Sequence, residues 1–124
     1  PHMTLDELRD TLLAKPGTTE ETPFGPEVLV FKVRGKMFGL VSWNALPLRI
    51  SLKCRPGHSD VLRAEYPAIT PGYHLNKRHW NTLTLDGSIP SHLLLELVDE
   101  SYELVVARLP SADRRALSST NPLL

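Results

Sequence analysis

The fold is decided by the stretch VLVFKVRGKMFGLVSW, residues 28–43. Two runs rich in β-branched and aromatic residues stand here, separated only by Gly35-Lys36. This arrangement predicts a β-hairpin with a type II′ turn, because glycine occupies the first central position. If Arg34 faces Met37 across the turn, the large apolar side chains share one side of the hairpin, and Lys32 lies with Arg34 on the other.

The next run of the chain repeats this division of side chains. From Arg49 to Cys54, apolar residues alternate with arginine, serine and lysine. Because successive side chains of a strand point to opposite faces of a sheet, one face of the predicted three-strand sheet collects cations. These cations are Lys32, Arg34, Arg49 and Lys53.

Helical patterns flank the strands. Thr4 and Glu7 have the spacing of a capping box, which predicts a first helix over residues 5–14. A short second helix is expected over residues 57–66, directly after Pro56. A third, over residues 90–109, carries one broad apolar stripe that would cover the sheet.

The secondary structure of the remaining chain is predicted from its prolines and glycines, which interrupt helices and strands, and from its β-branched residues, which favour strands. Residues 18–26 are expected to form a loop, and residues 80–85 a further strand. The element order predicts an α+β domain, in which helices pack on one face of an antiparallel β-sheet. We expect one domain over residues 3–110, a tag remnant at 1–2 and a frayed, disordered tail at 111–124.

Composition supports one globular domain. The 124 residues are 41% hydrophobic and 23% charged, close to the average for folded proteins. No apolar run is long enough to cross a bilayer, so we expect a cytoplasmic protein without a membrane partner, and favour a monomer. The single cysteine, Cys54, cannot form an internal disulfide, which agrees with a reducing compartment.

The charge is balanced overall and uneven along the chain. There are 14 Lys and Arg against 14 Asp and Glu in total. Residues 28–85, however, contain nine basic residues and only two acidic ones, and both flanks are acidic. A basic middle of this kind attracts an anionic partner.

The stretch TPGYHLNKRHWN, residues 70–81, concentrates imidazoles, cations, carboxamides and aromatic rings. With Leu52-Lys53-Cys54 and Glu65-Tyr66-Pro67 before it, this string resembles the MmcQ/YjbR family, whose hallmark is Pro-Gly-Tyr-His, Asn-Lys and His-Trp-Asn in this order. The resemblance extends from about Thr4 to Leu109. It implies a CyaY-like α+β fold and DNA binding through a double-wing arrangement, with no established reaction. Arg55 departs from the small polar or acidic residue expected there, and removes an N-cap from the second helix.

Residue chemistry and resemblance together favour a non-enzymatic nucleic-acid-binding protein, with DNA preferred over RNA as the partner. Phosphate recognition needs cations presented together on a rigid surface. The candidate contact residues are Lys32, Arg34, Arg49, Lys53, Arg55, Tyr73, His74, Asn76, Lys77, Arg78 and His79. Tyr73, His74, His79 and Trp80 would stack on bases if they reached the exposed face, although burial in the core is the commoner place for Trp80.

Two other functions stay open from the sequence. The same face would also suit an acidic protein partner. Alternatively, a small-molecule anion site, with potential for catalysis, would centre on His74, Lys77 and His79. Asn76, His79 and Asn81 have a purely structural interpretation as well, in which they hold the loop by hydrogen bonds to its backbone.

No motif indicates catalysis or a cofactor. The sequence lacks a nucleophile elbow and a glycine-rich phosphate loop, so we assign no catalytic residue and lean away from an enzyme. We expect no metal site, because Cys54 has no ligand partner at a recognisable spacing and the spacing of His74 and His79 does not suit one face of a helix.

Overall fold

The computed structural model describes residues 3–72 and 75–119. Ten elements alternate between strands and helices. They are α1 (Leu5–Leu13), β1 (Thr18–Glu21), β2 (Val28–Val33), β3 (Lys36–Ser42), β4 (Arg49–Lys53), α2 (Pro56–Glu65), β5 (Ile69–Pro71), β6 (Trp80–Thr84), α3 (Ser91–Ala107) and α4 (Ser111–Ser119).

The six strands form one antiparallel sheet in the order β1-β2-β3-β4-β6-β5. Cross-strand pairing places one row of residues on the same face, namely Phe31, Gly39, Leu52 and Asn81. The helices reach this face through Leu12 of α1, Ser59 of α2, Tyr102 of α3 and Leu117 of α4. We call the other side the helix-free face, because no helix of the described residues packs on it. The predicted α+β class, with helices on one face of an antiparallel sheet, is confirmed.

The core lies between this sheet and the helices. Phe31 and Phe38 are its largest fully buried side chains, and Leu8 and Leu12 of α1 pack in the same cluster. Phe38 meets Tyr102 edge to face, with ring centroids 5.2 Å apart. Burial of such side chains supplies the main free energy that holds the helices to the sheet.

The hairpin differs from its prediction in turn and register. Val33 pairs with Lys36, so the turn residues are Arg34 and Gly35, with φ of 49° and 80°. Positive φ at both central positions defines a type I′ turn, not the predicted type II′ turn. Further along, a β-bulge at Phe38 shifts the pairing, and Phe31 lies opposite Gly39.

The type I′ turn gives a direct stability prediction. Gly35→Ala places a Cβ on a residue with φ near +80°, so we expect a loss of about 1 kcal/mol in the free energy of unfolding. Gly57→Ala in α2 is the control, since open space surrounds that position and alanine favours a helix. Urea unfolding measures both variants. Equal stability of the two would contradict the turn assignment.

Two predicted irregular segments are regular instead. The expected loop over residues 18–26 begins with the strand Thr18–Glu21, which pairs with β2 at the sheet edge. The segment after Pro110, expected to fray, contains α4 over Ser111–Ser119. The helices α1, α2 and α3 begin and end within about two residues of their predicted bounds. No helix of the described chain is both long and apolar enough to span a bilayer.

Candidate functional site

Strand alternation places three predicted cations on the helix-free face. Lys32 of β2 shares this face with Arg49 and Lys53 at the two ends of β4. Trp80, paired with Lys53, is half-buried on the same face. Between the ends of β4, Ser51 is buried and its hydroxyl lies 2.9 Å from that of Thr82. Lys32 and Arg49 thus lie on the helix-free face, as strand alternation predicts. Lys53, at the end of β4, also borders α3, because it lines two cavities together with Arg108.

Carboxylates neutralise three of the predicted cations. One is Arg55, whose guanidinium lies 3.3 Å from Glu100 of α3. The Nζ of Lys32 lies 3.2 Å from Glu21 of the neighbouring strand β1. Arg34 stands in the turn, and its guanidinium donates two hydrogen bonds, of 3.0 and 2.9 Å, to Asp113 of α4. None of these three side chains is a free cation. The helix α4, which the sequence did not predict, supplies the partner of Arg34.

Several cations meet at the end of the sheet where β3 and β4 separate. One cavity there, of about 200 Å³, is lined by Lys53, Cys54, Arg55, Pro56, His79, Leu104 and Arg108. An adjoining cavity, of about 330 Å³, is lined by Lys36, Met37, Lys53, Val105, Arg108 and Leu109. We define the basic end as the residues Lys36, Lys53, Arg55, His79 and Arg108.

The basic end is electrostatically unbalanced. Neither cavity has an aspartate or glutamate in its described lining. Burial, followed by the charge of neighbouring Arg108, lowers the pKa of Lys53. Lys36, Lys53 and Arg108 form no ion pair with a carboxylate among residues 3–72 and 75–119. An anion at this point would relieve the repulsion between Lys53 and Arg108.

Arg55 has a second role at the start of α2. It is the N-cap residue and provides no side-chain cap. Glu100 of α3 satisfies the backbone amide of Arg55 itself, because its Oε2 accepts a 3.0 Å hydrogen bond from that N–H. A carboxylate at a helix N-terminus also interacts favourably with the helix dipole. A residue from another helix thus satisfies one backbone donor at the start of α2, although no side chain caps this helix from the N-cap position.

Glu100 belongs to a buried polar cluster that the sequence did not reveal. The donor atoms of Cys54, His58 and Glu100 all lie within 4.8 Å of one another. His58 Nδ1 is 2.7 Å from Glu100 Oε1. Burial, and then the hydrogen bond to Glu100, raise the pKa of the Cys54 thiol to about 12. Burial alone would raise the pKa of Glu100, but hydrogen bonds from Cys54, the Arg55 amide and His58 lower it overall.

These three residues contradict the expectation that Cys54 has no ligand partners. The spacing of Cys54 and His58 gave no recognisable signal, because Cys54 directly follows a strand and His58 lies in the first turn of the next helix. Glu100 is more than forty residues away in sequence and is brought close only by the packing of α3. A pattern of spacing therefore could not find the cluster.

The connection before β6 is held by its own polar groups. Asn76 Oδ1 accepts a 2.9 Å hydrogen bond from the Arg78 amide, as in the structural interpretation of this loop. Arg63 of α2 donates to Asn81 Oδ1 at 2.7 Å and to the carbonyl oxygens of Trp80 and Lys77. Arg63 is one of the nine basic residues of the middle segment, but its guanidinium holds this connection by hydrogen bonds.

The other predicted contact residues between residues 73 and 79 do not share one location. Lys77 and Arg78 are exposed, and His79 lines the smaller cavity of the basic end. Tyr73 and His74 lie outside the described residues, so their predicted contacts stay predictions.

Fold and surface define the class of this protein: a small α+β domain with helices on one side of an antiparallel sheet and a basic end, whose two cavities have no carboxylate among the described lining residues. The chain belongs to the YjbR family, whose model matches residues 13–104.

Comparisons with individual proteins agree with this assignment. The YjbR protein of Escherichia coli strain K12 is 36% identical over 115 residues, which cover 93% of this chain and 98% of the relative. YbdF of Escherichia coli O157:H7 is 43% identical over 94 residues, 75% of this chain and 76% of the relative.

A crystal structure of the Deinococcus radiodurans protein DR2400 superposes with a TM-score of 0.90 at 44% identity, covering 95% of this chain and 90% of that one. A Pseudomonas syringae protein superposes with a TM-score of 0.71 at 28% identity, covering 82% and 98%. These similarities establish family and fold.

Proposed function

We propose that this protein is a non-enzymatic DNA-binding protein that contacts the phosphate backbone with its basic end and with Arg49 on the helix-free face. The observation that carries the proposal is the lining of the two adjoining cavities. It contains four Lys or Arg side chains and, within the described residues, no carboxylate. Three of the four, Lys36, Lys53 and Arg108, form no ion pair within the described residues, whereas Arg55 is paired with Glu100. Unpaired cations held on a rigid surface are what phosphate contacts require, because each contact releases counterions from the nucleic acid.

Additional features of the surface agree with this role. Arg49 and Lys53 lie four residues apart on one strand, roughly 13 Å, so cations extend from the basic end along the face. Trp80 beside Lys53 provides an aromatic ring on the same face, where a base could stack. Arg108 follows the C-terminus of α3, where a cation is favourable even without a ligand, so its position alone is weaker support than the shared lining.

A second candidate function is a compact anion site. The smaller cavity, with about 200 Å³ of space, contains Lys53, Arg108 and His79, and could hold one phosphate-sized ligand. The sequence predicted an anion site around His74, Lys77 and His79. The candidate site proposed here lies instead at the end of β4 and shares only His79 with that prediction. Such a site would bind inorganic phosphate itself, and with less dependence on salt than a surface with many phosphate contacts.

Fluorescence anisotropy with labelled single- and double-stranded oligonucleotides, at several salt concentrations, tests the proposal. Arg108→Gln should reduce the slope of log K against log salt by about 0.9 for duplex or about 0.7 for single strands. Arg115→Gln is the matched control, since this arginine is exposed on α4 and lines neither cavity.

These measurements distinguish nucleic-acid binding from a compact anion site. The control should leave both the slope and the affinity nearly unchanged. Wild-type protein that binds no oligonucleotide near physiological salt would refute the proposal, as would equal slopes for the two variants. Binding of inorganic phosphate that Arg108→Gln abolishes, without oligonucleotide binding, would favour the compact anion site.

A further inference from the structure

The cluster of Cys54, His58 and Glu100 combines three different metal-ligand types in one partly enclosed place. Their donor atoms lie within 4.8 Å of one another. In a tetrahedral zinc site with bonds of about 2.0–2.3 Å, ligand atoms are separated by roughly 3.3–3.8 Å. The present separations therefore require only small side-chain movements to close around an ion.

The three residues are positioned by elements that support one another. Cys54 continues β4 beyond Lys53, and its amide donates to the His79 carbonyl at 2.8 Å, which extends the sheet pairing. His58 lies in the first turn of α2. Glu100 precedes Ser101, whose hydroxyl fixes α3 against two strands. Donors held by a rigid frame need little ordering when a ligand binds.

The donor set selects the kind of ion. Thiolate and imidazole are ligands of zinc and related transition metals, whereas Mg²⁺ and Ca²⁺ require mostly oxygen ligands. Two anionic ligands, a thiolate and a carboxylate, would neutralise a divalent charge. We propose that Cys54, His58 and Glu100 form a binding site for a divalent transition metal of the zinc class.

The surroundings of the cluster leave space for a fourth metal ligand that the protein does not supply. Cys54 and Arg55 both line the smaller cavity, which leaves room for water or an anion as the fourth ligand. Lys53 and Arg108 in the same lining favour an anionic one. The Arg55 amide donates to Glu100 Oε2 and can keep the carboxylate oriented while Oε1 binds the metal. Oε1 now accepts from the Arg55 guanidinium at 3.3 Å and lies 2.7 Å from His58 Nδ1, so both contacts would give way to the ion.

Titration with Co²⁺ tests this site and does not depend on DNA binding. Coordination of Co²⁺ by a thiolate produces a near-ultraviolet charge-transfer band. Because Cys54 is the only cysteine in the chain, this band would identify Cys54 as a ligand of the metal. We expect the band to appear with Co²⁺ and to disappear when Zn²⁺ is added. Cys54→Ser should abolish it, and His58→Asn should weaken Co²⁺ binding at least about tenfold.

His92→Asn serves as the control, because His92 is exposed near the start of α3 and lies outside the cluster. It should bind Co²⁺ as the wild type does. Circular dichroism confirms folding of each variant, and the half-buried His58 gives a second test if Cys54→Ser does not fold. Co²⁺ binding without the band, unchanged affinity in folded His58→Asn, or no binding at all would each overturn the proposal.

Discussion

Replacing both Lys53 and Arg108 by glutamate should weaken oligonucleotide binding by roughly a hundredfold or more at about 0.1 M salt. These residues line both cavities, so the double variant removes the centre of the basic end. A hydrogen bond to a charged group contributes about 1.5–3 kcal/mol, and about 1.4 kcal/mol corresponds to a factor of ten in affinity. Fluorescence anisotropy measures the change.

The control for this variant changes the net charge by the same amount elsewhere. Arg9→Glu with Arg115→Glu alters α1 and α4, at two residues that line neither cavity. If binding depends on the basic end, this control should lose less than about tenfold in affinity, through long-range screened repulsion alone. An equal loss in both double variants would mean that only the total charge matters.

Ser101→Ala should destabilise the fold by about 2–3 kcal/mol. The side chain is fully buried in α3, accepts a 2.8 Å hydrogen bond from the Lys53 amide and donates one of 2.5 Å to the Phe38 carbonyl. It thereby satisfies backbone groups of β4 and of the bulge in β3, where the two strands separate. Each buried polar group left without its partner costs about 1–3 kcal/mol.

Urea unfolding of Ser101→Ala and Ser91→Ala measures this effect. Ser91 begins the same helix, is exposed and forms no hydrogen bond through its side chain within the described residues. Its replacement should change stability by less than about 0.5 kcal/mol. Similar values for both variants would show that the bridge between β3 and β4 contributes little. Because Lys53 belongs to the basic end, Ser101→Ala should also weaken oligonucleotide binding at temperatures well below its unfolding transition.

Most of the fold could be predicted because its signals are local. The capping box at Thr4 and Glu7 is present in the structure and begins α1. The apolar stripe of α3 and the alternation in β4 likewise depend on residues near one another in sequence. The type I′ turn could not be predicted, since it requires Arg34 to adopt a positive φ that arginine rarely takes. The strand β1 is short and polar, and only its pairing with β2 identifies it.

The candidate site was less predictable, because charge counts ignore partners. Lys32 and Arg34 satisfy the sequence criteria for a phosphate contact as well as Arg49 does, yet Glu21 and Asp113 pair with them. Arg108 lies outside the basic middle of the sequence and joins Lys53 only because α3 crosses the end of β4. Tertiary packing therefore decides which cations are available to a ligand.

Chemical-shift perturbation of the ¹⁵N-labelled protein with a short oligonucleotide tests the central claim most directly, because it reports where the partner binds. We expect the largest changes at the amides of Arg49, Lys53, Trp80 and Arg108, with the first turns of α1 and the exposed side of α4 nearly unchanged. Changes centred on α1 and α4, or no changes at near-physiological salt, would contradict the assignment of the basic end and helix-free face as the nucleic-acid interface.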